Sequence, residues 1–460
     1  MKNIFKILSI LFIVTGCSND FIELTPFSEA NVDDFYKTPK DFEVAINAAY
    51  DVLQDGRLYG DRFEFLLEVR SDNGQFNDPA SSVGVPFDID KFQVRTDNSM
   101  VEGAYDALYQ GINRCNLVLG RIDQANIDVA LATRIKGEAQ FLRALFYFHL
   151  VRLYGNVPLI VTEISAADTS TIKRNDVTEV YSLIETDLID ASNFLPISYS
   201  QSDTGRVTQG AAFGLLAKVY LTQQKYGLAK VELEKVINLN KYSLLPNVAA
   251  VFSPSNEMND EIIFAVRYKK GEGGEGHSLT FGYTQNPTIS DDLINAYDPL
   301  DERLSLAQYV TVSGSLKVPQ KYFDVLSTSN NVGLDIPVLR YADILLMYAE
   351  VLNQEGYVND DMSPAFKSLN EVRVRAGLAP YTTTDLVNQV TFNAAVLKER
   401  RLELALEFHR WYDLKRTNTA ISTFAALGVT VPECRLIYPI PQDEIDIIQD
   451  PSRFPQNDCY

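Results

Sequence analysis

The chain has 460 residues, 46% of them hydrophobic, and it contains 24 Tyr and 25 Phe. This apolar content can fill a sizeable core and excludes a disordered chain. The formal net charge is −20 and the sequence has no basic cluster, which argues against nucleic acid or an anionic membrane surface as a partner. The length allows two or three domains, or one large helical array.

The N-terminus has the pattern of an export signal. Lys2 and Lys6 precede a short apolar run, and small residues then lead to Cys17, so residues 1–16 are predicted to be a signal peptide. The four residues that end at Cys17 (VTGC) resemble a bacterial lipobox, which predicts cleavage before Cys17 and lipid attachment to its thiol. An ordinary signal peptide, with Cys17 incidental, is the alternative. Residues 17–39 are predicted to form a polar tether.

Three further cysteines can form at most one internal disulfide. Cys434 and Cys459 both lie in the loop-like C-terminal stretch and are the predicted pair. Cys115 lies within a helical pattern and is predicted to be a small buried residue. The sequence contains no CxxC motif, which argues against redox chemistry and against a zinc cage.

From residue 40 onward, apolar residues recur mostly at helical spacing. A stretch rich in Asp, Asn, Gly and Ser interrupts this pattern at 71–98, and it is predicted to be a long loop with a functional role. The predicted helices are 40–54, 61–69, 101–122, 180–195, two within 211–240, 338–354, 365–376 and 392–417.

The most apolar stretch, 139–158 (AQFLRALFYFHLVRLYGNVP), is predicted to be the central helix. Only Arg143, His149 and Arg152 are strongly polar within its fourteen-residue core, so nearly every side of the helix is apolar. A membrane span needs about 20 apolar residues, so this helix is predicted to lie inside the protein. Each of the three polar side chains is expected to find a carboxylate or a backbone carbonyl, because unpaired burial costs several kcal/mol. Gly155 is the predicted stop.

Two segments resemble tetratricopeptide helix pairs. The clearer one is 211–240, and a weaker copy with a longer turn runs from 345 to 372. One match alone could be a chance amphipathic hairpin, whereas two indicate a stacked array. The predicted fold is therefore mostly α, a tetratricopeptide-like helix-pair array with repeats over roughly 101–240 and 338–417.

The helical pattern fails between about 252 and 337. Residues 261–268 (EIIFAVRY) are predicted to form a strand, 269–290 a Gly-rich loop, and 309–318 a short hairpin. This irregular segment is predicted to interrupt one domain that spans 40–460. The last 25 residues or so, rich in proline, are predicted to run as an extended tail over the surface.

No catalytic constellation stands out from the sequence. His149 and His409 fall on apolar helices and are predicted to be core histidines, and no His pair has metal-ligand spacing. The run 271–276 (GEGGEG) lacks the ending of a phosphate loop, and its two glutamates would repel phosphate. Trp411 is predicted to pack inside the protein. Paired carboxylates for glycoside hydrolysis remain an alternative in a chain with 61 acidic residues, but nothing singles out a pair. The expectation is a protein that is not an enzyme and uses no cofactor or metal.

Several segments together resemble the SusD/RagB family, the surface lipoproteins that serve TonB-dependent outer-membrane importers in Bacteroidetes. The resemblance covers essentially the whole chain after Cys17. It rests on AINAAY at 45–50, the stretch 139–158, GRVT at 205–208, LRYADILLMYAE at 339–350, NEVRVRAG at 370–377, the stretch 399–416, and YPIP at 438–441 with Gln456-Asn457 near the end.

The resemblance implies helix pairs packed against an irregular, loop-rich, ligand-facing half. It implies an outer-membrane lipoprotein that faces the cell exterior, captures a glycan and delivers it to a SusC-type importer. Asp20 and Glu23 resemble the export signal of surface-facing lipoproteins.

Sugars need aromatic faces together with amide, carboxylate or guanidinium partners. Three loop stretches offer both kinds of group: 70–78, 87–92 and 283–286. Family sites often use tryptophan, and this chain has none in its loops, so the ligand is either a glycan held by Tyr and Phe or a peptide. The predicted ligand-binding residues are Arg70, Asp72, Asn73, Phe76, Phe87, Phe92, Tyr283 and Asn286. A lipid-anchored tetratricopeptide scaffold for envelope assembly is the remaining alternative.

Overall fold

The computed structural model describes residues 35–76, 85–164, 166–271, 274–278, 288–313, 316–324 and 331–460. The fold is mostly helical with a few short strands, as predicted. The α-helices are α1 (Pro39–Gln54), α2 (Val85–Asp90), α3 (Ser99–Ile122), α4 (Val129–Tyr154), α5 (Val177–Phe194), α6 (Gln209–Thr222), α7 (Tyr226–Asn238), α8 (Asp291–Ala296), α9 (Leu304–Ala307), α10 (Tyr341–Glu355), α11 (Pro364–Arg375), α12 (Gln389–Glu403), α13 (Arg410–Arg416), α14 (Ala420–Ala426) and α15 (Gln442–Ile448).

Successive long helices pack side by side as an array. Helix α1 contacts α3, and contacts then run in order through α4, α5, α6, α7 and α10, with α11 and α12 packed on α10. The two predicted helix pairs are confirmed as α6–α7 and α10–α11. Although more than a hundred residues separate α7 from α10, the two helices are neighbours, so the irregular segment is an insertion between adjacent members of the array.

Helix α4 is the central helix and begins ten residues before the predicted stretch. Asp128 caps it by accepting a hydrogen bond from Leu131 N at 3.0 Å, and Gly155 ends it with φ +75°. Every side chain from 141 to 154 except Arg152 is buried. Helix α3 approaches α4 closely at Gly111, where an added Cβ would overlap the Phe146 ring.

The three polar residues of α4 have the partners that burial requires. Arg143 donates to both carboxylate oxygens of Asp187 at 2.8 Å. The Arg152 Nε donates to Phe148 O at 2.8 Å. Between them His149 differs from the expectation, because two tyrosine hydroxyls, 2.9 and 3.0 Å from its ring nitrogens, partner it instead of a carboxylate or carbonyl.

The inserted segment contributes strands to three two-stranded sheets. Their strands are β1 (Gly74–Gln75) with β3 (Thr288–Ile289), β2 (Ile262–Val266) with β6 (Ile336–Arg340), and β4 (Tyr309–Ser313) with β5 (Leu316–Pro319), each pair antiparallel. The predicted strand at 261–268 and the hairpin at 309–318 are confirmed. The predicted loop 71–98 also contains two regular elements, β1 and α2. One apolar cluster runs from Phe42 to Phe454 and includes residues of the insertion.

Two predicted helices have wrong boundaries. The helix expected to begin at 338 begins at 341, because 336–340 is the buried strand β6, whose apolar residues were read as the first turn of the helix. The single helix expected over 392–417 is broken between α12 and α13. At the break, Leu406 and Phe408 have φ values of +67° and +66°, which no α-helix accommodates.

The predicted surface tail is also wrong in part. Residues 442–448 form α15, and Tyr438, Ile440 and Phe454 are buried in the main core. Asn457 holds the end of the chain against α4 by donating to Tyr154 O at 2.9 Å. The predicted Cys434–Cys459 disulfide is present, and Cys115 is buried as a free thiol.

Candidate ligand-binding surface

The sheet formed by β1 and β3 brings two distant loops to one place. Gly74 lies opposite Ile289, and Gln75 lies opposite Thr288. Paired strands are about 4.8 Å apart, so the chain leaves β1 toward 77–84 beside the point where it enters β3. We call this sheet the platform. The predicted ligand residues Tyr283 and Asn286 lie outside the described residues, so their contact with ligand stays a prediction.

Asp72 and Asn73 lie beneath the platform and are buried. Asp72 accepts two hydrogen bonds from Arg410, at 2.7 and 2.8 Å. Asn73 accepts from Arg401 at 3.0 Å and donates to Glu68 at 3.1 Å. Burial alone would raise the pKa of Asp72, but Arg410 and Arg401 outweigh it and hold that pKa below its usual value. In this structure both side chains fix β1 onto the helices and present no free group to a ligand.

Arg70 is buried among aromatic rings and backbone carbonyls. Its guanidinium lies 3.9 Å from the Phe92 ring centroid and 5.5 Å from that of Trp411. It donates to the carbonyls of Ile89 and Arg435, and only 1% of the residue is exposed. Burial therefore lowers the pKa of Arg70. Its contact with ligand stays a prediction, since in this structure the guanidinium faces the protein interior.

Phe92 also has a structural position. It follows α2 with φ +57°, and its ring packs edge-on against Phe424, with centroids 4.8 Å apart. Trp411 lies beside it, 1% exposed, so the prediction that this tryptophan packs inside the protein is confirmed. These contacts come from segments more than three hundred residues away in the chain.

Phe87 is the predicted ligand residue that remains accessible. It lies on α2, half-buried, with its ring edge-on to that of Phe76 at 6.4 Å. Phe76 is buried, and its N–H donates to Asp90 at 3.0 Å, which joins α2 to the platform. Lys91 lies 5.8 Å from the Phe87 ring and 2.6 Å from the Asp90 carboxylate. We call Phe87, Asp88, Asp90 and Lys91 the Phe87 patch.

The hairpin β4–β5 supports the other strand of the platform. The Tyr309 hydroxyl accepts a hydrogen bond from Ile289 N at 2.8 Å, and burial raises the pKa of Tyr309 to about 12. Tyr309 was not among the predicted site residues. Its position at the start of the β-prone stretch 309–318 was the available signal.

Beneath this surface the inserted segment meets α11, α12 and the break after α12 through buried charges. Arg340 is central to them: it lies 2.8 Å from Glu261, 2.6 Å from Glu403 and 2.7 Å from Glu407. Lys321 lies 2.6 Å from Glu407 and donates to the Ala405 carbonyl at 2.7 Å, inside the break. We call this set the ion network, and its members are Glu261, Asp301, Arg303, Lys321, Arg340, Arg375, Glu399, Glu403 and Glu407.

Charge pairing controls the ionisation of this network. Burial alone would raise the pKa of Glu403, but Arg375, Arg340 and Arg303 hold it well below its usual value. Glu407 likewise has a lowered pKa, because Arg340 and Lys321 outweigh its burial. This network was not predicted from the sequence. The available signal was the spacing of Glu399, Glu403 and Glu407, which recur every four residues.

The side chains that often perform catalysis have structural surroundings here. Burial lowers the pKa of His277 to about 4, and burial together with Lys218 lowers that of His409 to about 3. His149 is buried on α4, as predicted, whereas His409 is half-buried and lies at the break before α13. Across the ranges that the structure describes, no group of three His, Cys, Asp or Glu side chains could hold a metal ion. None of the helices described there is both long and apolar enough to cross a membrane.

Two family models match the chain. The model for the SusD family matches residues 317–450, and the model described as "Starch-binding associating with outer membrane" matches residues 20–221. SusD-like protein P2 of Formosa agariphila is 26% identical over 99% of both chains. The starch-binding protein SusD of Bacteroides thetaiotaomicron is 30% identical over 36% of this chain.

Solved structures agree over nearly the full length. A laminarin-binding SusD-like protein has a TM-score of 0.79 and 27% identity, with 92% of this chain and 100% of that chain covered. A SusD homologue from Bacteroides thetaiotaomicron has a TM-score of 0.80 at 23% identity, which supports the fold alone. Both comparisons cover the helix array and the inserted segment together. The chain belongs to the SusD/RagB family.

Proposed function

We propose that this protein captures an oligosaccharide or polysaccharide outside the cell and passes it to a SusC-type TonB-dependent importer. The observation that carries the proposal is the match, over 92% of this chain, to a laminarin-binding SusD-like protein at 27% identity. In this proposal the platform side binds the glycan and the protein performs no chemistry on it.

The Phe87 patch has the groups that a sugar needs. A half-exposed aromatic ring offers a face to sugar C–H groups, and two carboxylates and an ammonium beside it can pair with hydroxyls. Asp90 and Lys91 form an ion pair, so both are already oriented beside the ring. Tyr283 and Asn286 are proposed as further contacts, since the chain reaches the platform directly after them.

A binding panel tests the ligand class. Affinity electrophoresis and calorimetry of the full chain against neutral and acidic polysaccharides should show binding to at least one of them. Failure across the whole panel, together with binding to peptides, would replace the glycan by a peptide. The same samples should release no reducing sugar, and release would instead identify a hydrolase.

The membrane anchor is proposed to be lipid attached at Cys17. Metabolic labelling with an alkyne fatty acid should mark the wild-type protein, and Cys17→Ser should remove both the label and the protein from the outer-membrane fraction. Protease treatment of intact cells should digest the anchored protein, since the proposal places it on the cell exterior. A labelled Cys17→Ser variant, or protection from protease, would contradict this part of the proposal.

The importer partner is tested by copurification. A tagged chain isolated from mildly solubilised outer membranes should carry a TonB-dependent barrel in a stable ratio. Recovery of several unrelated envelope proteins without such a barrel would favour the scaffold alternative.

A further inference from the structure

A large pocket lies at the C-terminal end of α4, well apart in sequence from the platform strands. Its volume is about 1050 Å³, and it is enclosed by the ends of α4 and α6, the start of α5, helix α13 and the segment closed by the Cys434–Cys459 disulfide. Pockets of this size accommodate ligands with more than one ring. We call it the basic pocket, after the lining residues Arg152, Arg174, Lys415 and Arg416.

Three of these cations have no carboxylate partner among the described residues. Arg152 lies between the Phe148 and Tyr412 rings, 3.5 Å from each centroid. Arg174 donates to carbonyl and amide oxygens only, and Lys415 donates to the Arg152 carbonyl. The chain has 61 acidic residues and a net charge of −20, and most of its buried cations, Arg70 excepted, are paired with carboxylates in the ion network and elsewhere.

The dipole of α4 accounts for part of this arrangement. The C-terminus of α4 carries a partial negative charge, which favours a nearby cation. That charge of about half an elementary unit does not balance Arg152, Arg174 and Lys415 together. Burial, with a smaller contribution from the neighbouring Arg152, lowers the pKa of Lys415 to about 7.

Acidic groups at the pocket do not cancel these charges. Glu433 and Asp458 line it, but both are exposed and lie at its rim. The guanidinium of Arg416 is neutralised by Glu350 and Asp413. The interior therefore offers N–H groups of Arg152 and Lys415 from which an incoming anion can accept hydrogen bonds.

Tyr181 and Thr222 line the same pocket beside the cations. The side-chain amides of Asn156 and Gln456 also line it, but both already make hydrogen bonds within the protein. A ligand suited to these walls carries an anionic group for the cations and hydroxyls that can pair with the Tyr181 phenol. An acidic saccharide has both.

We propose that the basic pocket is a second ligand site, which binds the carboxylate or sulfate group of an acidic saccharide. The inference rests on the proposed function to the extent that the ligand is a glycan. It adds a site separate from the Phe87 patch and a preference for charged sugars. Carboxylate and sulfate share the chemistry that Arg152 and Lys415 recognise, and the test separates them.

Trp411 provides the readout. It is the single tryptophan of the chain, and Lys415 Nζ lies 6.0 Å from its ring. An anion bound at Lys415 should therefore change the tryptophan emission. The full chain is titrated with an oligogalacturonate, a sulfated oligosaccharide, a neutral laminari-oligosaccharide and inorganic sulfate, and calorimetry supplies the affinities.

At least one acidic saccharide should change the emission, and Lys415→Met should weaken its binding about tenfold or more, since a charge-assisted hydrogen bond is lost. Lys367→Met, at an exposed lysine on α11, removes the same charge away from the pocket and should have no effect. Glu433→Gln removes a rim acid from an exposed position and should strengthen binding about twofold to threefold. The affinity for the neutral oligosaccharide should be the same in all three variants as in the wild type.

The outcomes separate this inference from the proposed function. Binding of the neutral sugar, with no acidic sugar affected by Lys415→Met or Glu433→Gln, would overturn the basic pocket and leave glycan capture standing. Binding of inorganic sulfate without any acidic saccharide would overturn the saccharide assignment. Failure of every saccharide, neutral ones included, would overturn the proposed function itself.

Discussion

In the helix array, α4 is enclosed mainly by aromatic and aliphatic side chains, and its buried charges are few: Glu138 pairs with Arg134 and Arg206, and Arg143 pairs with Asp187. The inserted segment meets the C-terminal helices differently, through a group of charges centred on Arg340. Apolar packing is non-directional and tolerates exchange of similar side chains, whereas paired charges fix both distance and angle. The array therefore supplies stability, and the ion network fixes the geometry of the loops that carry the candidate site.

The strongest test of this comparison is Arg340→Met. The substitution leaves Glu261, Glu403 and Glu407 buried without their shared partner, and we expect a loss of about 3–5 kcal/mol in the free energy of unfolding. Denaturant unfolding followed by tryptophan fluorescence measures it. Replacement of an exposed arginine, Arg95→Met, is the control and should change stability by less than about 0.5 kcal/mol. Equal stability of the two variants would show that the network is dispensable.

In the array, Arg143→Met should have a smaller cost of about 2–4 kcal/mol, since it leaves one carboxylate, that of Asp187, and the Asn116 amide oxygen without this partner. Ligand affinity of the folded variant should stay unchanged, because α4 carries none of the candidate contacts of the Phe87 patch. Calorimetry at a temperature where the variant is fully folded checks this. A folded variant with selectively weakened binding would contradict the location of the ligand site at that patch.

At the platform, Gly74→Ala tests whether β1 must lie where it does. An added Cβ would be 2.8 Å from Val69 Cα, so β1 has to shift, at a cost of about 1–3 kcal/mol. Glycan affinity should fall together with stability. A Cβ added at Gly120 on α3 would meet nothing within 4 Å, so Gly120→Ala should be neutral or slightly stabilising. Thermal unfolding of both variants measures the difference.

The smallest expected effect is a pH dependence from Glu68. Burial raises its pKa to about 7, above the usual value of an unfolded chain, so the folded state binds the proton more tightly. This contribution is complete below pH 4 and is lost as the pH rises through 7. Between pH 6 and 8 the wild type should lose about 1 kcal/mol relative to Glu68→Gln, measured by thermal unfolding. Parallel curves for the two proteins would contradict the shift.

The helices were predictable because their apolar residues repeat at a spacing that local sequence shows directly. The central helix, its stop at Gly155 and both helix pairs follow from this pattern. The break after α12 does not follow from it, because residues 404–409 continue the apolar pattern of the helix before them. The carbonyls of Ala405 and Leu406 accept hydrogen bonds from Lys321 and Tyr322, which lie 84 residues earlier in the chain. A non-local partner overrides the local pattern there.

The candidate site was less predictable for the same reason. The loop composition sets 71–98 apart from the helices, but it does not tell an exposed polar residue from a buried one. Asp72 is buried because Arg410 reaches it, and Arg70 is buried because Trp411 and Tyr438 cover it. Phe87 alone among these described residues keeps an accessible ring with charges beside it.

The most direct test compares two similar phenylalanines in the two parts of the molecule. Phe87 and Phe213 are both half-buried, with a lysine 5.8 Å and 5.0 Å from the ring centroid respectively, but Phe213 lies on the array helix α6. Calorimetry with the tightest-binding neutral polysaccharide of the panel should show that Phe87→Ala weakens binding about tenfold, while Phe213→Ala changes it less than twofold. Equal losses, or a loss confined to Phe213→Ala, would contradict a ligand held at the platform.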